Sequence, residues 1–106
     1  MQPNQHDRGS KPLSEEERGL LTAAWVEWVS AAYRKLERIS AGLRAAGVDS
    51  TFLGHVFAAT TETVYADSCC HFNAHGIDVL EEAIADHILA SAALAGVSAV
   101  PLWPRK

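Results

Sequence analysis

Three short marks divide this chain. Ala46-Gly47-Val48-Asp49, His75-Gly76-Ile77-Asp78 and Ala95-Gly96-Val97-Ser98 each place Gly before a β-branched aliphatic residue, then Asp or Ser. Gly reaches the left-handed backbone that closes an α-helix, and the apolar residue after it folds back onto the last turn. Asp or Ser in the next place caps a new helix by accepting from its free N–H groups. Such marks predict consecutive helices joined by short turns, which forces neighbours to run antiparallel. The predicted fold is therefore all-α, an antiparallel up-down-up three-helix bundle with unequal helices.

The helix limits follow from local signals. Residues 1–13 are rich in Gln, Asn, Gly, Ser and Pro, offer little to bury, and are expected to be disordered. Ser14 with Glu17 forms a capping box, with Glu15 and Glu16 also favourable in the first turn. An apolar stripe then runs through Leu21, Trp25, Trp28, Val29, Ala32, Leu36, Ile39, Leu43 and Ala46 in steps of three and four. That spacing predicts one helix over 14–46, roughly 50 Å long at 1.5 Å per residue. A second helix is expected over 50–75, on a stripe of Leu53, Val56, Phe57, Thr60 and Val64. The run Thr60-Thr61-Glu62-Thr63-Val64-Tyr65 favours a strand, because β-branched residues lose side-chain freedom in a helix. The helical period on both sides decides for helix. A third helix, over 78–95, opens on Asp78 with Glu81 and turns Leu80, Ile84, Ile88, Ser91 and Ala95 inward. Pro101 and Pro104 keep the tail, 99–106, out of helix. The bundle domain thus spans 14–98.

Because the helices shorten along the chain, part of the first has no intramolecular neighbour. Much of the apolar content is Ala, which buries little area per residue, and both facts favour a homodimer or a protein partner. A formal net charge of −4 argues against non-specific binding to nucleic acid or anionic lipid. Residues 1–12 lack the apolar core of a signal peptide, and the weakly polar run at 88–103 is too interrupted to span a membrane. Two adjacent cysteines do not make a disulfide framework. The expectation is a cytoplasmic protein.

Two clusters carry chemistry. Asp67, His71 and His75 are spaced by four and continue the stripe of the expected second helix; antiparallel pairing brings His87 to the level of Asp67, with Glu81, Trp25 and Trp28 nearby. Two imidazoles one turn apart, a carboxylate and a third imidazole make four ligands for Zn, Cu, Ni or Fe. The structural alternative is an Asp–His hydrogen-bond network that fixes helix register. Ferritin-like Glu-x-x-His pairs and a full hemerythrin ligand set are absent. Cys69 and Cys70 fall on the opposite side, where small part-buried residues pack against a partner; intermolecular disulfide formation, soft-metal capture and redox sensing are the reactive alternatives. Trp28, Arg34, Arg38, Cys69 and Cys70 are the expected interface, with Glu27, Arg34 and Arg38 along the outer face of the first helix.

Three functions compete. The first is a non-enzymatic interaction protein, an adaptor, regulator or inhibitor working through a helix face. The second is a metal- or cofactor-binding protein using Asp67, His71, His75 and His87; those groups also do acid–base chemistry, but no nucleophile or set of oxyanion donors accompanies them. The third is DNA binding. Residues 43–57, through Ala46-Gly47-Val48, Leu53 and Phe57, resemble the helix-turn-helix of TetR-like repressors, which implies a recognition helix after Gly47. That stretch has no Lys or Arg after Gly47 and carries Asp49, a departure from what phosphate contact requires.

Overall fold

The computed structural model describes residues 1–94, so the third Gly mark and the Pro-containing tail lie outside the described residues. Helices are the regular secondary structure of this region: α1 (Glu15–Gly19), α2 (Ala23–Ala45) and α3 (Ala74–Leu94). The Ser14–Glu17 capping box forms as expected, with Glu17 N–H donating to Ser14 Oγ and Ser14 N–H to the Glu17 carboxylate. The first Gly mark also closes a helix. Gly47 has φ +87°, Val48 N–H donates to Leu43 O at 2.9 Å and Gly47 N–H to Arg44 O at 3.0 Å, the paired bonds of a Schellman stop.

Elsewhere the structure departs from the expected bundle. The long first helix is broken between Gly19 and Ala23, because Thr22 N–H donates to His6 Nε2 at 3.0 Å instead of to its own helix. Among the described residues, no two helices pack against each other. The expected second helix is absent. Its place is taken by irregular chain and four-residue turns, closed by bonds such as Val56 N–H to Leu53 O at 3.1 Å and Thr60 N–H to Phe57 O at 2.9 Å. An antiparallel bridge then pairs Tyr65 with Phe72. The β-branched run before Tyr65 follows its extended preference, and Val64 and Tyr65 become core.

That core is small and aromatic. Phe57, Val64 and Tyr65 are buried, with Val56, Phe72 and Val79 packed on them, and the Phe57, Tyr65 and Phe72 rings meet at centroid separations of 5.6 to 5.8 Å. Gly76 does not end a helix; it is the third residue of α3, where a Cβ would lie 2.6 Å from Val64 O. Its role is close approach of helix to loop. Asn73 rather than Asp78 caps α3, accepting from Gly76 N–H at 2.9 Å.

The segment 1–13, expected to be disordered, is built into the fold. Pro3, Gln5, His6, Asp7, Ser10 and Lys11 are buried. Tyr33 OH donates to Gln2 O at 2.8 Å, Arg8 N–H to Ser30 Oγ at 2.9 Å, and Arg34 to Asp7 at 2.6 Å, so the segment lies against α2. At its end Lys11 Nζ meets the Glu17 carboxylate at 2.5 Å, both side chains fully excluded from solvent. Glu17 also accepts from Val64 N–H at 3.0 Å and Tyr65 N–H at 3.2 Å. Burial pushes its carboxyl upward, but the bonds from Lys11, Ser14, Val64 and Tyr65 outweigh that and hold it below the ordinary range. One buried carboxylate thus joins the N-terminal segment, α1 and the central loop.

Candidate functional site

The bridge between Tyr65 and Phe72 creates a six-residue loop, closed by Ala66 N–H donating to His71 O at 2.8 Å. Asp67 organises it: Oδ1 accepts from Cys69 N–H at 2.8 Å and His71 N–H at 3.3 Å, and Oδ2 from His71 Nδ1 at 2.6 Å. The His71 imidazole, with help from the Cys69 N–H, holds the Asp67 carboxyl below its ordinary range. Gln5 Nε2 clamps the loop from outside through Asp67 O at 2.6 Å. Cys70, at the tip, has φ 70°, a left-handed backbone that costs a non-glycine residue about 1–2 kcal/mol. The Asp67 cap and the Gln5 clamp are the contacts that hold it there.

The loop sets Cys69 and Cys70 on the rim of a cavity of about 300 Å³ lined also by Asn4, His6, Trp25, Trp28 and Val29. Both thiols are free; Cys69 is exposed and Cys70 half-buried. Burial, and then the neighbouring Cys69 thiol, push the Cys70 thiol upward. His6 lies 5.2 Å from Trp25, ring centre to ring centre. Because its Nε2 accepts from Thr22 N–H, its proton sits on Nδ1, which donates to Asn4 Oδ1 at 3.2 Å. Burial lowers the pKa of this imidazole, favouring the neutral ring. A second cavity of about 180 Å³, between the end of α2 and Phe52, is lined by Leu36, Ile39 and Leu43 and, among the described residues, by no ionisable side chain.

The proposed ligands Asp67, His71, His75 and His87 do not converge. Asp67 pairs with His71; His75 faces Glu62 at 3.8 Å; His87 contacts Asp49 at 3.1 Å and Thr51 Oγ1 at 2.9 Å. Without a helix over 50–75, the four-residue spacing no longer aligns His75 with Asp67 and His71. Among the described residues, no three His, Cys, Asp or Glu side chains gather where one ion could bind. Of the expected interface, Trp28, Cys69 and Cys70 meet at the larger cavity. Arg34 is instead engaged by Asp7 and Glu37, and Arg38 is exposed. Sequence reasoning missed His6 and Asn4 because their segment reads as disordered; His6 two residues after Asn4 is the only local signal.

The resemblance to a helix-turn-helix ends at Gly47, since residues 49–53 are irregular and 54–57 form turns, with no recognition helix. Among the described residues, no helix is long and apolar enough to cross a membrane. Compared with known proteins, the chain matches no family model, no curated protein and no solved structure.

Proposed function

We propose that this chain is a non-enzymatic interaction protein, an adaptor, regulator or inhibitor, that self-associates through α3. The observation that carries this reading is the apolar face of α3. Ile77, Ile84 and Ile88 follow at steps of seven and four, on one side of the helix, and each is more than a third exposed, Ile88 to 59%. The start of α3 is held by the core at Gly76 and Val79, while among the described residues no helix packs on this stripe. A second copy supplies a matching stripe by symmetry, the simplest way to bury it. Trp28 and Arg38 on α2 offer a further exposed surface to a different protein.

Sedimentation or light scattering over a concentration series tests the reading. A dimer is expected, and Ile84→Glu with Ile88→Glu should leave a monomer of unchanged helical content. A wild type that stays monomeric at high micromolar concentration refutes it. The metal reading of Asp67, His71, His75 and His87 has less support, because these residues fall into three separate pairs.

A further inference from the structure

We infer that Cys69 and Cys70 form a two-coordinate site for a soft monovalent metal ion, Cu(I), at the mouth of the indole-lined cavity. The two thiols come from adjacent residues in a loop whose shape is set before any ligand arrives. The Ala66–His71 bond closes it, the Asp67 carboxylate caps it, and Gln5 holds it from the N-terminal segment. The left-handed turn at Cys70 departs from the regular alternation that would send neighbouring side chains to opposite faces, and both residues line one cavity.

The surroundings select the ion. Zn needs four ligands, whereas among the described residues no third His, Cys, Asp or Glu joins this pair. His6, the nearest imidazole in the cavity wall, has both ring nitrogens engaged, by Thr22 N–H and Asn4. The Asn4 amide oxygen in the same wall is already bonded to His6, so two sulfurs are what the site offers; two thiolates suit an ion of low coordination number, and soft thiolate favours Cu(I). Trp25, Trp28 and Val29 give the cavity an apolar wall beside the two thiols. A bound metal displaces the proton of each coordinating thiol. The step is a ligand exchange: Cu(I) leaves the donors of its carrier complex, two S–H bonds break, two S–Cu bonds form, two protons go to solvent, and copper stays Cu(I).

The test is anaerobic titration of the full chain with Cu(I) against a chromogenic Cu(I) chelator. Retention of one Cu(I) per chain is expected, with quenching of tryptophan fluorescence. Cys69→Ser and Cys70→Ser should each abolish retention, while Cys69→Ser keeps the thermal midpoint. Because Cys70 sits on a left-handed backbone, its variant is backed by a measurement on the wild type. Cu(I) should protect both thiols of one chain from iodoacetamide, read by mass spectrometry. Overturning results are retention by the double Cys→Ser variant, alkylation of either thiol at saturating Cu(I), or one Cu(I) shared by two chains.

Discussion

Replacing Glu17 with Gln isolates what its buried carboxylate contributes. Oε1 accepts from Ser14 N–H and Lys11 Nζ, and Oε2 from Val64 and Tyr65 N–H. All four partners are donors. A Gln amide has one oxygen and one NH₂, so whichever way it turns, a donor faces two donors. Each buried donor left without an acceptor costs about 1–3 kcal/mol, and a buried ammonium deprived of its counter-charge about 3–5 kcal/mol. The terms overlap, since Lys11 is both, and a loss of roughly 4 kcal/mol follows. With a urea slope of about 1.5 kcal/mol per M, the midpoint should fall by between 2 and 3 M, or ~2.7 M. Lys11→Met is expected to cost less, because three backbone donors still satisfy the carboxylate. The double variant should be more stable than the sum of the single losses, as the uncompensated charge is gone. Urea unfolding followed by circular dichroism measures all three. A Glu17→Gln midpoint within ~0.3 M of wild type, below ~0.5 kcal/mol at that slope, would show that the carboxylate does not hold these segments together. Additivity of the two single variants would refute the ion pair.

Gly76→Ala should cost about 1–3 kcal/mol, since its Cβ would press on the Val64 backbone carbonyl 2.6 Å away and no side chain there can swing aside; a thermal melt equal to wild type contradicts that packing. Trp28→Ala should change the unfolding free energy by at most about 1 kcal/mol, whereas Phe57→Ala, from a fully buried site, should lose about 3–5 kcal/mol. Equal losses from the two would overturn the assignment of Trp28 to the surface. The His6 imidazole, lowered by burial, gives a pH signature. The unfolded chain binds the proton first, near pH 6.5, so stability contributed by the neutral ring is present above that value and declines as pH falls toward the folded pKa. Asp7, raised by burial against the pull of Arg34, works in the opposite sense at lower pH. Urea midpoints of wild type and His6→Gln at pH 7.5 and 5.5 should therefore converge on acidification; a constant difference would contradict the buried neutral imidazole.

What was legible in the sequence was legible over three or four residues. Ser14 and Glu17 cap a helix because the groups they bond are one turn away, and Gly47 ends one because its own backbone permits φ +87°. The apolar period likewise marks most of α2 and α3. The Asp67–His71 pair survives loss of its expected helix because the closed loop returns the two side chains to each other.

Only the tertiary structure decided the rest. The same Gly signature at Gly76 serves close packing, because the partner that demands it is Val64 O, twelve residues away. The N-terminal segment looks too polar to fold by composition, yet Lys11 and Asp7 are buried by opposite charges from α1 and α2. Residues 60–65 balance helical period against strand propensity, and the balance tips when Glu17, 47 and 48 positions earlier, takes the N–H groups of Val64 and Tyr65. Local signals set where helices can start and stop. Which polar groups satisfy one another across the chain is set only when distant segments meet, because a buried charge is tolerable there only with its partners in place.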